Sequence, residues 1–402
     1  MRTAYGLLVW FVATLFVIYA FCLNTAAAVF SAAIKTSLNL SNVEVAYAVG
    51  SFTIGFALMQ IPAGYLLDRF NSKMVISLGV LLLALGNILI SYAHNLALFS
   101  LSNLLQGMGG SFAFIAAAVL ISQWFAPRLF PILFGLTQTV SCVLTGVIHY
   151  MFKTALNTHP WSELYKYLAI FGFILFILTI LVVKSPKTKQ AIGTISLSKA
   201  LKLSFGNPQV WLCAISAATT FGVLLAYAGF WYTDVQVFYA VTTSNALIMS
   251  AIIFAGIGIG TPLLGYISNL LKSRTLVIHV SLALGNMALL LGLYLPHFNF
   301  NSLILSDTIA FFIGFFLSGS MLFYTVVSEI SSDNTRGVAL SLTNTGVFLF
   351  NTILMFVPYL FLTSSSQNFF TYLWVLPFFV MISILLLYFV KDSYRNDNSL
   401  DT

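Results

Sequence analysis

The chain has 402 residues, of which 60% are apolar and 7% charged, and its formal net charge is +7. Soluble globular domains carry about 25% charged residues, so this composition excludes an ordinary soluble protein. The three cysteines, Cys22, Cys142 and Cys213, fall in apolar runs without CxxC spacing, which argues against a disulfide framework or a zinc site.

Twelve apolar runs follow one another along the chain, most of them roughly 20 residues long, which is enough to cross about 30 Å of hydrocarbon. They lie near residues 7–30, 45–66, 74–93, 98–122, 131–153, 163–184, 208–232, 245–268, 275–295, 304–328, 337–362 and 369–390. The first is too long for a signal-peptide core and lacks a convincing polar cleavage region, so it counts as a span. The pattern predicts an all-α integral membrane protein.

Positive charge is distributed very unequally between alternate loops. With the N-terminus inside, fourteen of the 17 basic residues fall on the cytoplasmic side and three, Lys35, Lys153 and Lys166, fall outside. Because cytoplasmic loops are enriched in Lys and Arg, we expect both termini in the cytoplasm. The membrane accounts for the net charge without any nucleic-acid partner.

The longest polar stretch between spans, residues 185–207, follows the sixth span and carries, with Lys184 at its edge, five lysines. It predicts a cytoplasmic linker between an N-terminal six-helix bundle, 1–184, and a C-terminal one, 208–390, with a cytoplasmic tail at 391–402. Within the linker, Leu197 to Leu203 fits an interfacial amphipathic helix facing anionic lipid, and a solvated loop is the alternative.

A charged decapeptide is repeated about 200 residues apart. Residues 64–73 read Gly-Tyr-Leu-Leu-Asp-Arg-Phe-Asn-Ser-Lys, and residues 265–274 keep the skeleton as Gly-Tyr-Ile-Ser-Asn-Leu-Leu-Lys-Ser-Arg. Just downstream, Ala-Leu-Gly-Asn at 84–87 recurs at 283–286. Two copies of one plan in a membrane chain indicate a transporter built from two related, pseudo-symmetric halves.

The first decapeptide resembles the loop between the second and third helices of the major facilitator superfamily (MFS), which reads Gly-x-Leu-x-Asp-Arg-x-Gly-Arg/Lys-Arg/Lys. Gly64, Leu66, Asp68, Arg69 and Lys73 match that pattern. The resemblance implies the MFS fold of two six-helix bundles and secondary transport by alternating access.

Further stretches look like a bacterial branch of that superfamily, with phagosomal-type amino-acid and nucleoside transporters. They are Leu-Val-Trp-Phe at 8–11, Met-Gln-Ile-Pro at 59–62, Leu-Gln-Gly-Met-Gly-Gly-Ser-Phe-Ala-Phe at 105–114, Trp-Phe-Ala-Pro at 124–127 and Thr-Asn-Thr-Gly at 343–346. This resemblance implies nutrient uptake through the bacterial cytoplasmic (inner) membrane.

Several positions depart from the family patterns. In the decapeptide, Asn71 replaces the second Gly and Ser72 a basic residue. In the fourth span, Asn103 stands where several proton-coupled antiporters have Arg, and the Gly-Pro signature of drug antiporters is absent from 131–153. These departures lower the case for a proton-driven drug antiporter without excluding it.

The decapeptide is predicted to form a cytoplasmic gate. A carboxylate at Asp68 can pair with basic groups or with the positive N-terminal end of a facing helix. The resemblance implies that this helix is the eleventh span, which begins near Arg336, and Asn269 in the second copy makes the gate asymmetric. The gating candidates are Gly64, Asp68, Arg69, Lys73 and Arg336, and topology anchoring is the alternative for Asp68, Arg69 and Lys73.

A second charged cluster, Glu329, Asp333 and Arg336, lies between the tenth and eleventh spans. We expect it either to pair with Arg69, Lys73 or Arg128, or to be a solvated loop.

The superfamily resemblance implies a central path lined by the first, fourth, seventh and tenth spans and flanked by the second, fifth, eighth and eleventh. Polar side chains on these spans are the solute-binding candidates, with bonding between helices as the alternative role. They are Asn24, Asn103, Gln106, Gln138, Tyr227, Trp231, Tyr324 and Asn344.

No carboxylate lies at a predicted bilayer midplane, where proton relays normally place an acid or a His. A proton is one candidate coupling ion, and facilitated diffusion is the alternative. The amide, phenol and indole groups favour a neutral or zwitterionic solute.

The leading hypothesis is a transporter that imports a small organic solute. An exporter of a metabolite, drug-like compound or siderophore is the alternative, and a non-transporting sensor is disfavoured by the dozen-residue tail. We expect a protein that is not an enzyme and has no cofactor and no metal, because neither a P-loop nor a clustered catalytic constellation is present. We also expect a monomer.

Overall fold

The structure of the protein is a computed structural model that describes residues 2–184, 196–298, 302–361 and 372–394. Within these ranges the chain forms helices and turns, and no strand occurs. Residues 185–195 of the predicted linker and 395–402 of the predicted tail lie outside the described residues.

The helices follow one another along the chain with short connections. They are α1 (Arg2–Val29), α2 (Ser31–Leu38), α3 (Asn42–Arg69), α4 (Ser72–Ser91), α5 (Leu96–Trp124), α6 (Phe130–Ala155), α7 (Trp161–Val182), α8 (Leu197–Phe205), α9 (Pro208–Ala217), α10 (Val223–Ala226), α11 (Tyr232–Phe238), α12 (Thr243–Leu270), α13 (Arg274–Tyr294), α14 (Leu303–Leu317), α15 (Leu322–Ile330), α16 (Arg336–Phe361) and α17 (Val375–Leu386).

Eleven stretches of the described chain are helical, long enough and apolar enough to cross a membrane, and the shorter apolar helix Val375–Phe389 adds a twelfth. They coincide with the twelve predicted spans, most of them within a few residues at each end, so the all-α membrane fold is confirmed. The largest differences are in the seventh span, which stays helical to Phe238, six residues beyond its predicted end, and in the twelfth, whose regular helix begins at Val375.

The seventh span departs from regular α-helix twice. Between α9 and α10, and again between α10 and α11, five residues form wide π-type turns, Ala218–Gly222 and Tyr227–Trp231. The second turn begins and ends with two of the predicted solute-binding residues. Turns of this type are uncommon and are found frequently at functional sites.

The chain divides into two compact units. The first comprises Met1–Pro127, Val140–Leu203 and Ser332–Ser341, and the second comprises Arg128–Thr139, Ser204–Ser331 and Leu342–Thr402. The start of α6 therefore belongs to the second unit and the start of α16 to the first. The linker and tail boundaries drawn from the sequence stay predictions.

In the first unit, α3 and α5 touch backbone to backbone through glycines. A Cβ atom at Gly55 would overlap the carbonyl oxygen of Leu104, and one at Gly107 would overlap that of Phe52. Helix pairs in membranes pack closely where small residues remove the steric barrier, because lipid supplies no hydrophobic drive for association.

The second unit repeats this contact between α12 and α14. A Cβ atom at Gly256 would overlap the carbonyl oxygen of Phe311, and one at Gly314 would overlap that of Ile253. The two halves of the chain thus share a packing device as well as a sequence repeat.

Gly55→Ala is expected to destabilise the protein by about 1–3 kcal/mol, the usual cost of overpacking a close contact. The matched control is Gly50→Ala in the same helix, because a Cβ at Gly50 meets no atom within 4 Å. An alanine there is expected to be neutral or slightly stabilising, since glycine weakens a helix interior. Thermal unfolding of both variants in detergent checks this, and equal unfolding temperatures would contradict the backbone contact.

Candidate functional site

The centre of the candidate site is the Asp68 carboxylate, which lies against the N-terminus of α16 within the first unit. Its Oδ1 accepts a hydrogen bond from the backbone N–H of Gly337 at 2.7 Å, and its Oδ2 accepts one from that of Val338 at 3.0 Å. Asp68 is 8% exposed. The first N–H groups of any helix lack partners inside the helix and carry partial positive charge, so a carboxylate is their natural acceptor.

Glycine at two positions permits this approach. A Cβ at Gly64 would overlap Ser341 Oγ and the carbonyl oxygen of Gly337, and a Cβ at Gly337 would overlap the carbonyl oxygen of Gly64. The ends of α3 and α16 therefore meet backbone to backbone, and Asp68 is held at hydrogen-bonding distance by that contact.

The two departures from the family loop have local roles. The Asn71 side chain accepts a hydrogen bond from the backbone N–H of Lys73 at 2.9 Å and so caps α4. Ser72 is fully buried, and its hydroxyl lies 3.4 Å from Gln123 Oε1. The family loop has a glycine where this chain has Asn71. Because Asn is favoured at N-cap positions, α4 begins at the next residue, Ser72.

The basic gating candidates Arg69 and Lys73 lie close to Asp68 in sequence, and Arg336 immediately precedes Gly337 at the start of α16. Arg69 is exposed, donates to the Tyr65 hydroxyl at 2.5 Å and lies over the rings of Tyr65 and Phe70. Lys73 is half-buried. The sequence predicted basic groups or a helix end as partners of Asp68, and the helix end is the partner seen.

Arg336 occupies the first turn of α16. Its guanidinium pairs with Asp333 at 2.6 Å and lies 3.4 Å from Ser122 Oγ. The side chain of Asp333 is 55% exposed, so this ion pair contributes at most about 1 kcal/mol. The pair of Arg336 with Asp333 therefore corresponds to the solvated loop, one of the two possibilities that the sequence left open.

The second unit holds the repeat counterpart of this contact, with reversed chemistry. Asn269, at the end of α12, donates from its side chain to the carbonyl oxygen of Arg128 at 2.7 Å, immediately before α6. A Cβ at Gly265 would lie 3.0 Å from the backbone of Pro131. The two halves therefore join equivalent helix ends, with a carboxylate on helix N–H groups in the first and an amide on a carbonyl oxygen in the second.

For Glu329 the sequence predicted either pairing with Arg69, Lys73 or Arg128 or a solvated loop, and the structure shows a buried pair with a different residue. The side chain of Glu329 is 6% exposed and pairs at 2.8 Å with Arg274, which is 1% exposed. Arg274 also donates to Ser268 Oγ and Asn269 Oδ1. Arg274 is the repeat counterpart of Lys73, so this pair places the repeat's basic residue in the interior of the second unit.

Asp392 lies at the start of α13, next to the pair that Arg274 forms with Glu329. Its carboxylate accepts hydrogen bonds from the hydroxyls of Ser273 and Thr275 and from the backbone N–H of Arg274 and Thr275, and so caps α13. Partial burial raises the pKa of Asp392, but the hydrogen bonds from Ser273, Tyr394 and Thr275 outweigh it and hold the pKa at about 2. Sequence reasoning missed this acid, although its position just after the last span was a usable signal.

The predicted solute-binding residues of the first unit differ in environment. Asn24 has an exposed side chain, whereas Asn103 and Gln106 are buried. Asn103 donates to the carbonyl oxygen of Phe99 in its own helix at 2.9 Å, and Gln106 donates to Asn87 Oδ1 at 2.7 Å.

Asn87 continues a buried chain of hydrogen bonds. It donates to the Tyr19 hydroxyl at 2.6 Å, and Tyr19 donates to the carbonyl oxygen of Leu168 at 2.8 Å. These bonds connect α1, α4, α5 and α7 within the first unit. Gln106 is part of that network.

In the second unit the predicted residues are almost fully buried. Tyr324 donates to Asn344 Oδ1 at 2.9 Å, and Trp231 donates to the carbonyl oxygen of Leu354 at 2.9 Å. Gln138 is 3% exposed. The hydroxyl of Tyr227 is buried and has no hydrogen-bond partner in the described part of the chain.

A small cavity lies between α11, the end of α13 and the start of α14, with Tyr232, Gln236, Gly292 and Ser306 in its wall. Its volume is about 10 Å³, close to the space that one water molecule needs. Gln236 Oε1 is buried and has no hydrogen-bond partner among the described residues. The cavity is too small for an organic solute.

The sequence matches one protein family over most of its length. The profile of the Major Facilitator Superfamily covers residues 12–349. Among curated relatives, the multidrug resistance protein MdtL of Shewanella oneidensis is 24% identical over 196 residues, 48% of this chain and 49% of that protein. Sialin of Ovis aries is 26% identical over 212 residues, 49% of this chain and 41% of that protein. The matched region spans about half the length of these relatives or less.

The structure is similar to solved structures over nearly its whole length. With the major facilitator superfamily proton:xylose symporter XylE bound to 6-bromo-6-deoxy-D-glucose, the TM-score is 0.77 at 17% identity, covering 98% of this chain and 97% of that one. A double Trp mutant of XylE gives a TM-score of 0.75 at 15% identity, covering 98% of each chain. At this identity the likeness shows the fold alone.

Glu329→Gln is expected to destabilise the protein by about 3–5 kcal/mol, because it leaves the buried charge of Arg274 uncompensated. The matched control is Glu44→Gln, since Glu44 forms a capping box with Ser41 in which Gln is an accepted substitute. Thermal unfolding compares the two. A control that lost as much stability as Glu329→Gln would show that the buried pair has no special weight.

Proposed function

We propose, since this chain belongs to the Major Facilitator Superfamily, that it is a secondary transporter of a small organic solute that works by alternating access. Members of the family are transporters rather than enzymes, and the chain is a multi-pass membrane protein. The favoured activity is uptake of a polar nutrient, amino-acid-like or nucleoside-like.

The observation that carries the proposal is the contact between Asp68 and the start of α16. It joins segments 269 residues apart through two hydrogen bonds to a charged acceptor, each worth about 1.5–3 kcal/mol. A contact of this strength is firm enough to hold one conformation and weak enough to break in each transport cycle. We therefore assign it as the cytoplasmic gate, with Gly64 allowing the approach and Arg69, Lys73 and Arg336 supporting it.

The proposed solute contacts are the eight polar residues named from the sequence: Asn24, Asn103, Gln106, Gln138, Tyr227, Trp231, Tyr324 and Asn344. They offer amide, phenol and indole groups and no fixed charge, which supports a neutral or zwitterionic solute. The side chain of Asn24 is exposed and is therefore directly accessible to a solute. The unpartnered Tyr227 hydroxyl, in a π-type turn, is the strongest candidate in the second unit, because a buried hydroxyl without a partner costs about 1–3 kcal/mol that a ligand can recover.

Export is the second candidate, and a specific observation favours it. The MdtL proteins that the chain matches at 23–24% identity are named multidrug resistance proteins. Accumulation of labelled solute in right-side-out vesicles supports import, and extrusion from preloaded vesicles supports export.

The remaining assignments rest on the same family membership. We propose a monomer in a bacterial cytoplasmic membrane with both termini inside, as the distribution of Lys and Arg indicates. A proton is the proposed coupling ion, by analogy with the proton:xylose symporter of the same fold, and facilitated diffusion is the alternative.

Asp68→Asn is expected to loosen the start of α16. An amide can accept from only one of the two N–H groups and turns its own donor toward the other, so one charge-assisted hydrogen bond worth about 1.5–3 kcal/mol is lost. Amide hydrogen exchange at Gly337 and Val338 should then rise by roughly 10- to 100-fold. Asp333→Asn is the control, because it removes an exposed carboxylate near the same helix end. Unchanged exchange in Asp68→Asn would contradict the gate.

The solute class is tested by a thermal-shift screen of the purified protein against amino acids, nucleosides and iron chelates, followed by uptake of the hits into vesicles. A neutral or zwitterionic compound is expected to stabilise the protein and to show saturable transport that Tyr227→Phe weakens. Strong saturable transport of a polyanion, with no response to zwitterions, would contradict the uncharged site.

A further inference from the structure

The part of the short helix α8 (Leu197–Phe205) that belongs to the first unit, up to Leu203, packs beside the gate. Ala200 is fully buried and forms a cluster with Tyr65 and Val338, against which Leu201 also packs. Val338 is one of the two residues whose N–H groups Asp68 binds, and Tyr65 precedes Asp68 by one helical turn. The buried face of α8 therefore rests on both sides of the gate contact.

The opposite face of α8 has a composition that suits a membrane surface. Lys199 and Lys202 are exposed and three residues apart, so they project from the same side of the helix. Leu203 is 52% exposed and Phe205 is 38% exposed. Lysines flanked by exposed large apolar side chains are typical of helices that lie in the headgroup region of a bilayer.

The end of α8 is anchored at the start of a membrane-spanning helix. Trp211 donates from its indole to the carbonyl oxygen of Phe205 at 2.7 Å, and the two rings pack edge to face with centroids 5.5 Å apart. The Asn207 side chain caps α9, two residues beyond α8. Tryptophan is enriched at the membrane–water interface, so this attachment places α8 at headgroup depth.

Charge selects the kind of surface. Residues 185–207 contain four lysines and neither Asp nor Glu. Each basic residue near an anionic leaflet strengthens attachment by about 1 kcal/mol, roughly fivefold, and neutral headgroups provide no such term.

We propose that the exposed face of α8 binds the headgroups of anionic phospholipids, and that this binding holds α8 on Tyr65 and Val338 and so keeps the gate closed. The proposal rests on the gating role of Asp68. It makes the membrane composition a regulator of the transporter: a leaflet poor in anionic lipid releases α8 and favours opening at α16.

The test measures amide hydrogen exchange in nanodiscs of phosphatidylcholine alone and of phosphatidylcholine with phosphatidylglycerol. In the wild type, the anionic lipid is expected to slow exchange by about fivefold or more, both in α8 and at Gly337 and Val338. The double variant Lys199→Gln/Lys202→Gln should lose most of that slowing at both places. The control Lys153→Gln/Lys166→Gln, which removes two exposed lysines from the predicted outer side, should keep it.

Four results would overturn the proposal. The first is equal exchange in the two lipids, and the second is a full response in Lys199→Gln/Lys202→Gln. The third is the same slowing by soluble glycerol phosphate with neutral nanodiscs, which would assign the site to free phosphate. The fourth is slowing confined to α8, which would show lipid binding without control of the gate. If the proposed transporter function were wrong, solute transport would be absent. The exchange measurements do not depend on solute transport, so the two failures are distinguishable.

Discussion

The contact on which the account depends is the capping of α16 by Asp68. The N–H groups at a helix start have no partner within the helix, and burying them without one is costly. Asp68 supplies both acceptors, at 2.7 and 3.0 Å, and Gly64 and Gly337 let the two backbones come close enough for it to do so. Helix α8 packs beside the same contact, because Ala200 is buried against Val338 at the cap and against Tyr65, one turn before Asp68.

The two halves of the chain use one architecture with different chemistry. In the first unit a carboxylate binds helix N–H groups, and in the second the amide of Asn269 binds a carbonyl oxygen. The second unit also keeps its basic residue, Arg274, buried against Glu329. A neutral hydrogen bond beside a buried ion pair suits a fixed joint, whereas a carboxylate whose partners are backbone groups of another segment suits a contact that is made and broken.

Features that depend on chain-wide patterns were predictable from the sequence. Runs of apolar residues located all twelve spans, and the repeat located the decapeptides. The macrodipole argument predicted a helix N-terminus as a possible partner of Asp68, and the family resemblance named the eleventh span. Of the two alternatives for Leu197 to Leu203, the helix is the one seen, since α8 covers it, and its place at the membrane interface stays a prediction. The gating and solute-binding roles themselves stay predictions.

Features that depend on which side chain faces which were not predictable. Glu329 lies close in sequence to Asp333 and Arg336, yet its partner Arg274 is 55 residues away. Gln106 was identified only as a polar residue on a path helix, and no single-sequence signal shows that Asn87 binds it. The glycine contacts of α3 with α5 were equally hidden, because 26 glycines in one chain do not indicate which ones touch a backbone.

The central claim is that Asp68 holds the gate closed, and a distance measurement tests it most directly. Phe70 and Ser332 are exposed and lie near the contact without forming it, so each can carry a spin label. Pulsed electron resonance between the two labels reports the separation of the end of α3 from the start of α16. A dominant short distance is expected in the wild type, and a shift toward a longer one is expected in Asp68→Asn. Identical distance distributions in the two proteins would contradict it.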